Sequence, residues 1–318
     1  MHRLIGCLLS LSMCITFGCG VQSQESATVI GPVESQVTAS DPTPAGSSDA
    51  EEDATSDEAF GDQPMSLTDP LTDAERAITA DAYVNPEEIV REAFASPPDA
   101  IQLSMQRVWI DRANKRVYAD GYVTMREGPL EMFACPIGTK EHESIVATLA
   151  KASDIHTGLL AIGAQQGTPV SYVPKFVPAT GQRVRVWVTY RDKKGDYQAV
   201  DARQWIQRNG KPNDHMESDW VFAGGGFNKG PDGIEYYSAD SGDMICVSNF
   251  STAMLDIPVA SSSAADDLLF IPFTERIPDV GTPVRLVFVP VPLKSDTPDP
   301  EPKVDPAKPP TEEVLPKN

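Results

Sequence analysis

Arg183-Val184-Arg185-Val186-Trp187-Val188-Thr189-Tyr190 decides the fold class. Valine stands at every second position from 184 to 188. Successive side chains of an extended strand point to opposite faces, so this alternation marks a strand with one face in a core. The chain then turns at Lys193-Lys194-Gly195-Asp196 and returns through residues 197–206, which makes a hairpin. Similar signals recur on both sides. Upstream, residues 108–110 and 116–125 flank Asp111-Arg112-Ala113-Asn114 as a second hairpin, and 130–135 is another short strand. Downstream, 220–223, 234–238, 244–247, 268–273 and 284–289 read as strands.

Two helices interrupt this pattern. Asn85-Pro86-Glu87-Glu88 combines a capping Asn, Pro at the first helical position and acids in the first turn. Ile89, Val90 and Phe94 give that helix an apolar side, and it stops before Pro97-Pro98. A second helix starts at Ser153 or Asp154, carries Ile155, Leu159, Leu160 and Ile162 on one side, and ends at Gly163. The expected class is β-rich α+β, an antiparallel sheet with few helices. Gly167-Thr168-Pro169-Val170 recurs as Gly281-Thr282-Pro283-Val284. This is either a duplicated half-domain or a sequence suited to entering a strand.

The flanks differ from this domain. The chain has 318 residues and a net charge of −20, but residues 20–75 hold 13 acids and no Lys or Arg. Like charges repel there and little apolar surface can be buried, so 20–75 reads as a disordered tether. Residues 294–318 hold seven of the 28 prolines and read as a disordered, semi-rigid tail. Between them, residues 76–293 form a mildly acidic globular domain, large enough to bury roughly 70% of its unfolded surface. At the N-terminus, Arg3 and an apolar run from Leu4 to Phe17 make a signal segment over 1–19. Thr16-Phe17-Gly18-Cys19 resembles a bacterial lipobox: Gly18 fits, Thr16 and Phe17 depart from the pattern. Cys19 is therefore the expected lipidation site.

Composition excludes several classes. A nucleic-acid binder presents a basic patch, which this charge balance does not supply. No apolar run of 18 or more follows the N-terminus, so a polytopic membrane protein is excluded. Nucleotide loops, the dinucleotide glycine fingerprint, Cys-x-x-Cys and the Gly-x-Ser-x-Gly elbow are absent, and no cofactor is expected.

Cys135-Pro136-Ile137-Gly138-Thr139-Lys140-Glu141-His142-Glu143-Ser144 is the densest candidate site. A nucleophilic thiol needs a base or cation beside it, and Lys140 and His142 are at hand. His142-Glu143 opens like the zincin motif, but Val146 stands where its second His belongs, so no metal site is expected. The bland reading is a solvated strand end. Lys140, His142 and Glu143, with Asp219 and Trp220 ahead of the glycine run 224–226, are the candidate pocket residues. Cys135 and Cys246 are the only thiols beyond the signal segment, and an oxidising compartment makes a disulfide one candidate state and buried free thiols another. Asn228-Lys229-Gly230-Pro231-Asp232-Gly233 lacks the closing acid of a calcium loop, with Ala239 at position twelve, and reads as a turn. The two carboxylates of Asp240-Ser241-Gly242-Asp243 belong to a loop.

Three stretches resemble the YdjY-domain family: 129–136 with 138–144 (Pro129-Leu130-Glu131-Met132-Phe133-Ala134-Cys135-Pro136 and Gly138-Thr139-Lys140-Glu141-His142-Glu143-Ser144), Asp219-Trp220-Val221-Phe222-Ala223-Gly224, and 242–250 (Gly242-Asp243-Met244-Ile245-Cys246-Val247-Ser248-Asn249-Phe250). The resemblance covers about residues 105–292. It implies an exported protein or lipoprotein of the kind found in planctomycete-type bacteria. It brings no catalytic residue, so no site is carried over.

These readings converge on a lipid-anchored protein of the cell envelope, facing the periplasm or exterior, with a domain that binds an envelope protein, a glycan or a small molecule. Two alternatives stand beside it: an envelope enzyme or redox protein using Cys135, Lys140 and His142, and a cell-wall spacer using the Pro-rich tail.

Overall fold

The computed structural model describes residues 85–264, 267–293 and 305–317. The signal segment with Cys19, the acidic linker and residues 294–304 lie outside the described residues.

Helix α1 (Pro86–Ala93) starts as expected, with the Asn85 side chain accepting from the Glu87 amide at 3.0 Å. Helix α2 (Ala152–Ala161) starts earlier than its sequence signal, and its cap comes from elsewhere. The Asp240 carboxylate accepts from the Ser153 amide at 2.8 Å and from the Ser153 hydroxyl at 2.9 Å. An anion there also complements the positive helix start.

The strands are β1 (Ile101–Ser104), β2 (Val108–Asp111), β3 (Arg116–Val123), β4 (Met132–Pro136) and β5 (Ser144–Thr148). They continue as β6 (Arg183–Arg191), β7 (Tyr197–Asp201), β8 (Ile206–Arg208), β9 (Trp220–Phe222) and β10 (Phe227–Lys229). The last five are β11 (Glu235–Tyr237), β12 (Ile245–Cys246), β13 (Leu255–Asp256), β14 (Phe270–Pro272) and β15 (Pro283–Pro290). With two α-helices among the described residues, the β-rich reading holds.

The expectation of an open antiparallel sheet does not. The sheet closes into an eight-stranded barrel, in the order β3-β15-β6-β9-β13-β12-β4-β5 and back to β3. Two of its seams, β4–β5 and β12–β13, are parallel. Closure follows from long strands that change neighbours midway. β3 pairs β2 over 116–119 and then β5 over 121–123, on one edge, while β15 takes the other. β6 pairs β9 at Arg183 and Val184, then β7 from Trp187 onward. The crossing of β3 and β5 depends on Gly121. A Cβ there would lie 2.2 Å from the Ala147 carbonyl oxygen, closer than any side chain can stand.

The period-2 pattern sorts the strands into two faces. Val117, Ala119, Val184, Val186, Val188, Val284, Leu286 and Phe288 join one core with Phe133, Trp205, Trp220 and α2 residues Ile155 and Leu159. The alternate residues Tyr118, Trp187, Val287 and Val289 form a second cluster with Trp109 and Val314. Val314 belongs to the C-terminal segment, so the barrel wall is covered on its outer face too.

That segment corrects the expectation of a solvated tail, as far as residues 305–317 are concerned. Leu315 is fully buried. The Trp187 indole donates to the Pro306 carbonyl, and the Tyr197 hydroxyl to that of Pro310. Arg285, also fully buried, forks onto Asp120 at 2.6 and 3.0 Å and donates to the carbonyls of Val314 and Ala95. A buried guanidinium is tolerated because its donors are matched to a carboxylate and to main-chain oxygens. The prolines that suggested a free extension leave carbonyls with no competing amide, and the barrel's side chains use them.

The two Gly-Thr-Pro-Val copies are not equivalent. The second enters β15. The first lies in the loop before β6, where the Gly167 amide donates to the Phe222 carbonyl.

Candidate functional site

The densest stretch of the sequence is the return path between two parallel strands. β4 and β5 lie side by side in the same direction, in register from Met132 opposite Ser144 to Pro136 opposite Thr148. Residues 137–143 must therefore run back along the barrel, and they do so through a turn and a 3-10 turn at Glu141–Glu143. Lys140 points across this path. Its Nζ lies 3.0 Å from Asp243, 3.4 Å from Glu143 and 4.0 Å from Glu131, and 4.6 Å from the centroid of the Phe250 ring. The aliphatic stem passes over Gly242, where a Cβ would come within 2.5 Å of it.

The electrostatics follow from that crowding. Burial raises the Glu131 pKa, and the adjacent Glu143 carboxylate adds to the effect. Burial pulls the Lys140 pKa down, but Asp243 and Glu143 outweigh it and the net shift is upward. An ammonium held this way stays protonated, and it is no nucleophile. His142 is 78% exposed, 3.9 Å from Glu143. Lys140, Glu143 and His142 are thus neighbours, and Glu131 and Asp243 join them from outside the motif.

Asp219 and Trp220 lie elsewhere. Asp219 pairs with Arg185 at 2.6 Å, Arg203 at 3.3 Å and Arg183 at 3.5 Å, and Asp201 shares two of those arginines. Trp220 is fully buried in the core, with its indole donating to the Cys246 carbonyl at 2.8 Å.

The thiols are buried and unpaired, which corrects the disulfide expectation. β4 and β12 are neighbours, but Cys246 faces Met132, three residues from Cys135. That offset is about 10 Å along a strand, beyond the Cα separation a disulfide spans. Burial pushes both thiols up, and at Cys246 the carboxylates of Asp256 and Asp243 add to it. Neither thiol is primed as a nucleophile. Among the described residues, no group of three or more His, Cys, Asp or Glu is placed to hold a metal ion.

An open hollow lies on a different wall, and no sequence motif marks it. It has a volume of about 500 Å³ and is lined by Tyr172, Phe176, Asn249, Ala260, Ser261, Ser262 and Ser263. Asn249 follows β12 and ties the walls together. Its main-chain oxygen accepts from the Tyr172 hydroxyl at 2.9 Å. Its side-chain oxygen accepts from the Ser261 amide at 2.7 Å, and its NH2 donates to Asp256 and to the Ile257 carbonyl, both at 3.1 Å. On the far side, the main chains of Ser171 and Val177 exchange bonds of 3.0 and 2.8 Å, closing a short loop that presents both rings. The Tyr172 and Phe176 centroids are 5.8 Å apart, with the planes inclined by 55°. The Ser261 hydroxyl oxygen is buried in the wall with no partner. Under Asn249, the Asp256 carboxyl is raised to about 7, chiefly by burial, with its second oxygen unpartnered. Three serines in a row and the paired aromatics were the available signal. Nothing local says that they meet, because β12 and β13 bring the loops together.

An eight-stranded barrel with a ligand-sized cavity built from its loops describes the class of this protein. The family model of the YdjY domain matches residues 108–289, and the chain belongs to that family. The matched span runs from β2 to the end of β15 and includes the whole barrel and the cavity. No curated protein and no solved structure matches the chain.

Proposed function

We propose that this chain is a lipid-anchored protein of the cell envelope whose barrel binds a small ligand. The observation that carries the binding role is the hollow of about 500 Å³ that sets an aromatic pair opposite a row of serines. Small-molecule sites are concave, of this size, and combine rings with a few placed polar groups. Its lining holds rings, hydroxyls and one amide, with no His, Lys, Asp or Glu to activate a serine, which supports binding over chemistry. The thiols that an enzyme reading needs are buried with raised pKa values.

A library of small polar metabolites screened by NMR tests the binding role. The expected result is a compound whose amide shifts cluster at Phe176, Asn249 and Ser261–Ser263. A library that leaves those amides still, or moves another region, overturns it. The anchor rests on the lipobox-like Thr16-Phe17-Gly18-Cys19. Cys19→Ser is expected to move the protein from the membrane fraction to the soluble one, and retention in the membrane removes the lipid-anchor reading.

A further inference from the structure

We infer that the cavity takes a neutral saccharide ring, stacked on Tyr172 and Phe176 and hydrogen-bonded along the serine wall; this rests on the binding role proposed above. Charge is the first discriminator. None of the seven lining residues is charged at neutral pH; the one titratable group, the Tyr172 phenol, is pushed above its ordinary value by burial and by Asp256. A charged ligand would leave water without a counter-ion, which is costly. Lys175 lies between the two rings in sequence but does not line the space.

Ring geometry is the second discriminator. A flat heteroaromatic ligand is held best between parallel faces or against one. The two rings here are inclined by 55°, with centroids 5.8 Å apart, and form an open V. A puckered ring fills a V, because its C–H bonds point outward on both faces and meet the negative ring faces. The loop that carries the rings is pinned at its base by Ser171 and Val177 and at its tip by the Tyr172–Asn249 bond, so the V is formed before a ligand arrives.

Hydroxyl chemistry is the third. Ser262 and Ser263 line the hollow and are exposed, so their hydroxyls are within reach of a ligand. The Ser262 hydroxyl already accepts from the Ala264 amide, leaving its hydrogen to donate. Serines both donate and accept, as sugar hydroxyls do, so each matches a vicinal hydroxyl in either sense. The wall is held in place by two bonds, Ser261 amide to Asn249 and Ser248 hydroxyl to the Ser262 carbonyl at 2.9 Å.

The test uses the full chain in detergent and calorimetric titration with glucose, galactose, N-acetylglucosamine and their β-linked oligomers, beside glucuronic acid and adenosine. The expected result is binding of at least one neutral sugar, weakened about 10-fold by Phe176→Ala, the scale of one aromatic contact. Ser262→Ala should weaken it several-fold. His142→Ala, exposed and outside the lining, serves as the folded control and should bind as wild type does. No neutral sugar binding up to about 10 mM, or binding indifferent to Phe176→Ala, overturns the inference. Preference for adenosine or glucuronic acid at these residues also overturns it, while leaving the cavity as a binding site. The binding role itself fails if the metabolite library leaves the cavity amides unmoved or moves another region instead.

Discussion

Asp256 carries the clearest pH signature of any residue in the domain. Its carboxyl is raised to about 7 by burial, against an ordinary value of 3.8. Between those values the folded protein keeps a proton that the unfolded chain has released. Stability therefore falls as pH rises from about 4 to 7, by up to about 1.4 kcal/mol per unit, and stays lowered above 7. Asp256→Asn keeps the oxygen that accepts from Asn249 and from the Ile257 amide. Urea unfolding across pH 4–8 should show a flatter profile for the variant and greater stability at pH 8; parallel profiles would refute the assignment. His156, lowered by burial, works in the opposite sense, but it is common to both proteins and cancels in the comparison. Gly121 makes a second prediction. A Cβ 2.2 Å from a main-chain oxygen cannot be relieved by a rotamer change, so Gly121→Ala should cost roughly 3 kcal/mol in chemical denaturation. A loss under 1 kcal/mol would mean that the β3–β5 crossing is looser than described.

The strands legible in the sequence were those with one buried and one differently covered face. β3, β6 and β15 run over eight or nine residues, and their positions and that of the short hairpin partner β2 agree with expectation. β5, Ser-Ile-Val-Ala-Thr, was missed because it is buried on both sides and shows no alternation. β13 is two residues, too short for any period, whereas β12, at Ile245–Cys246, falls within the strand expected at 244–247. The candidate site divides in the same way. Lys140, His142 and Glu143 are close in sequence and stay close in space. Glu131 and Asp243 reach Lys140 only through strand pairing, and the cavity rests on contacts such as Tyr172–Asn249, 77 residues apart. The C-terminal segment was misjudged because composition reports what a chain can bury by itself, and the barrel provides the surface that it lacks. Leu315→Ala should therefore cost about 2–3 kcal/mol in urea denaturation, as for a buried core leucine. A neutral substitution would mean that the segment does not hold the outer wall.

At the scale of the whole molecule, closure was the feature with no local signature. A ring of strands is defined by pairs such as β3 with β15, some 165 residues apart, and no short window contains both. Closure also removes most of the free strand edges through which sheets associate. Phe94 bridges Lys317, and the Ala95 amide donates to the Pro316 carbonyl at 2.9 Å, so both ends of the domain meet on one patch of its surface. Such a domain has no obligatory first residue. Joining 317 to 85 through a short glycine linker and opening the exposed turn at Lys193-Lys194-Gly195-Asp196 should yield a circular permutant with the native circular dichroism spectrum. An unfolded permutant would show that the barrel depends on the order in which its strands are made.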